Sequence, residues 1–180
     1  MLYKKKYRVE SARIKGFDYS SNYWYFVTIN TKNFVSYFGQ VAGNRVILNE
    51  TGIIVKEQWL KISQIRKGVE LDSYIIMPNH LHGIVIINES TELKSVETHR
   101  DASLQNPICV NNLSNIIRGF KGSVTKVVHL NGLKRFRWQE RFYDHIIRNE
   151  IDLERIRKYI SLNPFKWEIE KNNPENFYNN

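Results

Sequence analysis

The chain of 180 residues contains a single cysteine, Cys109, so no disulfide can form within it. This excludes disulfide-stapled secreted domains and zinc sites built from clustered cysteines. No apolar run approaches the roughly 20 residues of a membrane-spanning helix. The N-terminal stretch MLYKKKYRVE is basic but is not followed by an apolar stretch of signal-peptide length. We therefore expect a cytoplasmic protein without a membrane partner.

Acidic residues are also scarce. The sequence has 18 Asp and Glu against 27 Lys and Arg, which gives a formal net charge of +9 at pH 7. A basic protein gains affinity for polyanions because each neutralised phosphate releases a counterion. The charge balance favours a nucleic-acid partner over an anionic membrane surface.

The length suits one domain, which we assign to residues 1–165. Residues at about 90–110 are polar, mixed in charge and without periodicity, so we interpret them as a flexible loop. Residues 166–180 are interpreted as a polar C-terminal tail. Pro164 is expected to end the last helix at about Leu162 or Asn163.

Hydrophobic periodicity predicts the elements of this domain. Aromatic and β-branched runs predict strands at 22–31, 69–77 and 82–88 and a hairpin around 42–44, and helical spacing predicts helices at about 50–67, 112–130 and 149–162. Residues 135–148 are predicted to form a strand or a bent ribbon. This order predicts an α+β fold in which helices pack on one face of an antiparallel sheet, of the ferredoxin-like kind.

The stretch MPNHLHGIVII places two histidines at the start of a predicted strand. Residues two apart on a strand point to the same side, so His80 and His82, about 7 Å apart at Cα, can bind one metal ion while Leu81 enters the core. The alternative is that the pair lies on an ordinary polar surface. A metal site also needs at least one ligand from elsewhere in the chain.

Candidates for a third ligand and a nucleophile occur in RKYISLNP. Tyr159 and Asn163 are four residues apart and are predicted on one face of the last helix. Tyr159 flanks the apolar stripe of this helix, so its hydroxyl can lie at the rim of the core. A competing pair is Tyr143 and His145, which share one side if their segment is extended. Ordinary packing and turn roles are alternatives for both pairs.

At these positions the sequence resembles the single-tyrosine HUH transposases, in particular the REP-associated tyrosine transposase branch. The motifs MPNHLHGIVII and YISLNP carry the resemblance. Further blocks occur in the same order, namely RIKGFDYS, YFVTIN, LNETGIIVKEQW, IIRGFKGSVTK and WQERFYDHIIRN. The resemblance covers nearly the whole chain apart from the loop and the tail.

The resemblance implies specific roles for the candidate residues. His80, His82 and Asn163 would bind Mg²⁺ or Mn²⁺, and Tyr159 would be the nucleophile. The activity would be DNA nicking and strand transfer through a 5′-phosphotyrosine, on hairpin-containing single-stranded DNA. A tyrosine phenol, with a pKa of about 10, needs a Lewis acid to attack a phosphodiester at neutral pH, so the residue types fit this chemistry.

A basic, aromatic stretch precedes the predicted catalytic helix. Residues 118–148 contain eight basic and two acidic residues. Interleaved aromatic rings can stack on unpaired bases, although part of them is expected in the core. The candidate DNA-binding residues are Lys121, Lys126, Arg135, Arg137, Trp138, Arg141 and Arg148.

Two other functions remain open at the level of the sequence. One is a non-catalytic module that binds single-stranded nucleic acid, with incidental histidines. The other is a metal phosphoesterase that uses activated water and leaves no protein–DNA adduct. The sequence is compatible with a monomer or a homodimer.

Overall fold

The computed structural model describes residues 23–88 and 112–172. Residues 1–22 of the predicted domain, the whole predicted loop at 90–110 and residues 173–180 of the predicted tail lie outside the described residues. The described strands are β1 Tyr23–Asn30, β2 Gly39–Ala42, β3 Arg45–Leu48, β4 Val69–Met77, β5 His80–Ile87 and β6 Tyr143–Ile147. The described helices are α1 Glu50–Ile65, α2 Leu113–Leu130, α3 Glu150–Ser161 and α4 Asn163–Asn172.

Four strands form one antiparallel sheet in the order β4-β5-β1-β6. Along the chain these strands alternate with helices as β1-α1-β4-β5-α2-β6, which is the ferredoxin-like arrangement. The short hairpin β2–β3 is inserted between β1 and α1. The predicted α+β class and ferredoxin-like core are confirmed.

Helices cover both faces of this sheet, so the expectation of helices on one face was wrong. Strand alternation sends Val27 and Leu81 to one face, where they join a core with residues of α1 and α2. It sends Phe26 and Ile84 to the other face, where they pack against Leu153, Ile156 and Ile160 of α3. The amphipathic stripe of α3 was predicted, but a stripe alone does not say which face of a sheet it covers.

Three helices begin at an asparagine whose side chain accepts a backbone N–H of the first turn. Asn49 caps α1, Asn112 caps α2 and Asn149 caps α3. An asparagine at this position satisfies an amide that has no partner within the helix. The cap at Asn149 fixes where the helix that carries Tyr159 begins, close to the predicted start at about residue 149.

Two predicted boundaries differ in the structure. The predicted helix end at about Leu162 agrees with α3, which ends at Ser161, but a further helix follows directly. Pro164 lies in the first turn of this helix, α4, where a backbone N–H has no acceptor within the helix, so its absence costs no hydrogen bond. Helix α4 therefore replaces the first part, 166–172, of the predicted tail. In the segment 135–148 only β6 is a strand, and Trp138 adds an isolated bridge to Thr31.

Within the described ranges 23–88 and 112–172, none of the helices combines the length and apolar character of a membrane span.

Candidate active site

The two histidines lie at the start of β5 on the face covered by α3. Leu81 between them is fully buried on the opposite face, as the alternation predicts. The His80 and His82 ring centroids are 4.5 Å apart. Both imidazoles are therefore directed into the same small volume next to the tyrosine helix.

Tyr159 meets this pair from α3. Its hydroxyl oxygen lies 3.5 Å from Nε2 of His82, and the two ring centroids are 5.2 Å apart. The ring of Phe26 stacks on His82 and meets Tyr159 edge-on, with centroid distances of 5.4 and 6.0 Å. Tyr159 is 38% exposed whereas His82 is 5% exposed, so the phenol stands between a buried imidazole and solvent.

Asn163 also lies next to the histidines, but it belongs to a different helix from the one predicted. Helix α3 ends at Ser161, and Asn163 is the first residue of α4, so it does not share one helix face with Tyr159. Its side chain nevertheless hydrogen-bonds the ring of His80, and the residue is only 7% exposed. Only Leu162 separates the two helices, and after this change of direction Asn163 contacts His80 while Tyr159 contacts His82.

Burial keeps both imidazoles neutral at physiological pH. Burial lowers the pKa of His80 to about 4, while its hydrogen bond to Asn163 opposes the shift. Burial, together with the smaller effect of the neighbouring His80, lowers the pKa of His82 to about 3. A neutral imidazole keeps a lone pair, which is the form that binds metals.

The donor set fits a divalent cation. His80 and His82 offer two ring nitrogens, and the side chain of Asn163, which is next to His80, carries an amide oxygen. In the described part of the chain no group of three or more His, Cys, Asp or Glu side chains can hold a metal ion. Asn163 is therefore the candidate for a third ligand here, and a set of neutral donors would leave the charge of a bound cation available to an anionic ligand.

Several neighbours of the site were not predicted from the sequence. Oγ1 of Thr28 lies 2.8 Å from Nδ1 of His82, and Oδ1 of Asn79 lies 2.7 Å from Nδ1 of His80. From α4, Lys166 Nζ lies 4.9 Å from the centroid of the Tyr159 ring, and Trp167 lies 5.8 Å from His80, centroid to centroid. Trp167 follows Asn163 by four residues, so a predicted helix over this segment would have suggested it.

The competing pair, Tyr143 and His145, lies on β6, two strands away from β5. Nε2 of His145 lies 2.7 Å from Oδ2 of Asp152 on α3. Tyr143 is 47% exposed and its ring lies 6.3 Å from Phe26. His145 therefore contacts the start of α3. Of the two candidate tyrosines, Tyr159 is the one whose hydroxyl contacts His82.

Three of the predicted DNA-binding residues have internal contacts. The Lys121 ammonium donates to the carbonyls of Gln139 and Glu140, and burial lowers its pKa. Arg137 donates to the carbonyls of two neighbouring residues. Trp138 is 9% exposed and lies in the core, which is the alternative that the sequence left open for part of these aromatic residues.

The remaining basic candidates are exposed but do not form one patch. Lys126 lies on α2, which covers the sheet face opposite to the histidines. Arg141 precedes β6 at the end of the sheet where β5 begins, and Arg148 follows β6 at the other end. Arg135 is exposed in the segment between α2 and β6.

The chain is similar to one protein in sequence and to solved structures in fold. An uncharacterized protein of Haemophilus influenzae is 36% identical over 166 residues, which cover 88% of this chain and 89% of that protein. The structure of a REP-associated tyrosine transposase bound to a REP hairpin matches with a TM-score of 0.57 and 24% identity, over 86% of this chain and 73% of that one.

A crystal structure of a transposase of Deinococcus radiodurans, described as putative, matches with a TM-score of 0.45 and 15% identity, over 82% of this chain and 94% of that one. No protein-family model matches the chain. The chain belongs to the same family as the Haemophilus influenzae protein, and its fold is that of a transposase.

Proposed function

We propose that the protein is a metal-dependent endonuclease and strand transferase for single-stranded DNA, of the HUH tyrosine transposase type, with Tyr159 as the nucleophile. The observation that carries the proposal is the 3.5 Å contact between the hydroxyl oxygen of Tyr159 and Nε2 of His82. The ring of Tyr159 packs against Phe26 and His82, and the residue, 38% exposed, lies next to two neutral imidazoles. Its position suits attack on a phosphodiester that enters from solvent.

His80, His82 and Asn163 would hold the cation. The motif resemblance implies Mg²⁺ or Mn²⁺, and the amide oxygen of Asn163 is a donor that suits either ion. A bound divalent ion supplies Lewis-acid polarisation of a phosphate oxygen. Lys166, whose ammonium lies over the Tyr159 ring, adds a second positive charge on the side of α4. The ring of Phe26 packs against both His82 and Tyr159 and so supports the position of each side chain.

The reaction conserves the energy of the phosphodiester. The oxygen of Tyr159 forms a bond to phosphorus, its proton passes to solvent, and the bond between phosphorus and the 3′ oxygen breaks. The products are a 5′-phosphotyrosine and a 3′-hydroxyl, which takes up a proton. The hydroxyl of another DNA end reverses the step, so strand transfer needs no nucleotide cofactor.

For the substrate we propose hairpin-forming single-stranded DNA, and for the family branch the REP-associated tyrosine transposases. The sequence motifs and the likeness of the fold to a transposase bound to a REP hairpin support both statements. Among the basic candidates Arg141 is best placed to contact this DNA, because it lies at the end of the sheet where the histidines lie. Arg135 and Arg148 are exposed and can contribute along a longer strand.

The experiment is adduct formation. The protein is incubated with Mn²⁺ and a library of 5′- and 3′-labelled hairpin oligonucleotides, and the products are separated on a denaturing gel. We expect an adduct that carries the 3′-side fragment, is abolished by EDTA, and is absent in Tyr159→Phe and His82→Ala. Tyr143→Phe is the matched control and retains the adduct.

Each of the other outcomes would indicate a different nucleophile or a different function. An adduct that survives Tyr159→Phe but disappears in Tyr143→Phe assigns the nucleophile to β6. Cleavage without adduct indicates a phosphoesterase that uses water. Binding without cleavage, across the library and with either Mg²⁺ or Mn²⁺, indicates a nucleic-acid-binding module.

A further inference from the structure

Asn79 lies in the two-residue connection between β4 and β5, directly before His80. Its backbone carbonyl accepts hydrogen bonds from the backbone N–H and the hydroxyl of Thr31, at 2.9 and 3.0 Å. The carbonyl of Pro78 accepts from the backbone N–H of Phe38 at 2.9 Å. Thr31 is fully buried. The turn that carries the first histidine is therefore fastened to the segment that follows β1.

The side chain of Asn79 is fixed at both ends of its amide. Its Nδ2 donates to the backbone carbonyl of Phe34 at 3.0 Å. Because a carbonyl oxygen can only accept, this contact identifies the amide nitrogen and leaves Oδ1 as the atom 2.7 Å from Nδ1 of His80. An amide oxygen also only accepts, so Nδ1 of His80 must carry the proton.

The segment that supplies this contact adopts an unusual backbone. Asn33 and Phe34 have φ values of 56° and 54°, in the left-handed region that residues other than glycine rarely adopt. Such conformations persist only where the surrounding structure enforces them, and they are concentrated at functional sites. Here the left-handed turn brings the carbonyl of Phe34 to the amide of Asn79, which orients the amide toward His80.

We propose that Asn79 is a positioning residue that holds His80 in its Nδ1–H tautomer and thereby directs the Nε2 lone pair of that ring into the site. The hydrogen bond on one ring nitrogen of a histidine ligand decides which nitrogen is free to bind a cation and how the ring is oriented. The cation belongs to the proposed function, whereas the tautomer is a property of the protein alone.

The test is the tautomer of His80 in metal-free, ¹⁵N-labelled protein at pH 7, measured by long-range ¹H–¹⁵N correlation. We expect Nδ1–H in the wild type and in Asn79→Asp, whose carboxylate still accepts from Nδ1. We expect a mixture that contains Nε2–H in Asn79→Ala. Asn88→Ala is the matched control, because it removes a side-chain hydrogen bond, to Glu70, beyond the other end of β5, and it should leave His80 unchanged.

Mn²⁺ affinity, measured by calorimetry on the same variants, reports the consequence. We expect Asn79→Ala to weaken binding by roughly 10- to 100-fold, with Asn88→Ala like the wild type. An Nε2–H tautomer in the wild type, or unchanged tautomer and affinity in Asn79→Ala, would overturn the proposal. If Asn79→Ala does not fold, the Asn79→Asp variant decides: an Nε2–H tautomer of His80 in that variant would overturn the proposal.

The two proposals can fail separately. If the wild type binds no Mn²⁺ but loses its Nδ1–H tautomer in Asn79→Ala, the metal site is wrong and the positioning role stands. If Mn²⁺ binds equally well to the wild type and to Asn79→Ala, and His80 has the same tautomer in both, the metal site stands and the positioning role is wrong.

Discussion

Arg157 on helix α3 forms a two-pronged ion pair with Asp72 on strand β4. The guanidinium Nε and Nη2 donate to the two carboxylate oxygens at 3.0 and 2.8 Å, across 85 residues of sequence. The register of β4 against β5 shifts between Leu71 and Tyr74, where β4 contains one extra residue, and Asp72 lies in this bulge. Arg157 lies two residues before Tyr159, so the ion pair attaches this part of α3 to β4, an edge strand of the sheet.

If this ion pair orients α3, the effects of breaking it from either side should not add. We expect Asp72→Asn and Arg157→Gln each to lower the urea midpoint of unfolding, and the double variant to be no less stable than the worse single variant. Arg157 also contacts Glu154 at 2.7 Å, so Glu154→Gln serves as the control for contacts within the helix. Additive losses would show that the two side chains act independently.

The same pair predicts a pH dependence of stability. Hydrogen bonding from Arg157 lowers the pKa of Asp72 from 3.8 to about 2. A carboxyl group whose pKa is lower in the folded state stabilises the fold above its unfolded pKa, and this contribution is lost as the pH falls through the folded value. The stability difference between wild type and Asp72→Asn should therefore be complete at pH 5 and shrink between about pH 4 and pH 2. Urea unfolding at pH 5, 3 and 2 measures it, and a constant difference would contradict the assignment.

Gly83, directly after His82, is expected to tolerate no side chain. A Cβ there would lie 2.4 Å from Cζ2 of Trp59, which is fully buried. Overpacking of this kind costs about 1–3 kcal/mol, so Gly83→Ala should destabilise the protein by that amount and shift His82 with the strand. Chemical denaturation with Gly122→Ala as the matched control measures the effect.

Gly122 lies in α2 with nothing within 4 Å of its would-be Cβ. Its substitution should stabilise the protein by about 0.5–1 kcal/mol through helix propensity. If both glycine variants behave alike, the close approach of Trp59 does not constrain β5.

Much of the fold follows from the periodicity of the sequence. The alternation around His80, Leu81 and His82 defines one buried position between two that share a face, and the spacing of Leu153, Ile156 and Ile160 defines the buried side of α3. These patterns are local, so they are visible in a single chain. They do not reveal which sheet face a helix covers, and the histidines prove to lie on the α3 side.

The parts that could not be predicted depend on contacts between distant segments. Nothing near Asn79 in the sequence indicates that the carbonyl of Phe34 will orient its amide, because the two residues are 45 apart and meet through a left-handed turn. A proline is typical both after the end of a helix and in the first turn of one, and the sequence alone does not say that Pro164 lies in the first turn of α4. The bulge that holds Asp72 has no glycine or proline to mark it.

In the proposed reaction the positive charge of Lys166 is expected to stabilise the negative charge that develops next to Tyr159. Its ammonium lies 4.9 Å from the centroid of the Tyr159 ring, on the exposed side from which a phosphate would approach. Lys166→Gln removes this charge from a reaction that builds negative charge on the phosphoryl group, so we expect the rate of adduct formation to fall about tenfold, or roughly 1.4 kcal/mol in activation free energy.

Lys166→Arg should recover part of that rate because it keeps the charge. Lys56→Gln on α1, which covers the opposite sheet face, should leave the rate unchanged although it lowers the net charge equally. Single-turnover kinetics at saturating DNA separates this effect from binding. Equal losses in Lys166→Gln and Lys56→Gln would mean that overall charge, and not the position of the ammonium over Tyr159, governs the rate.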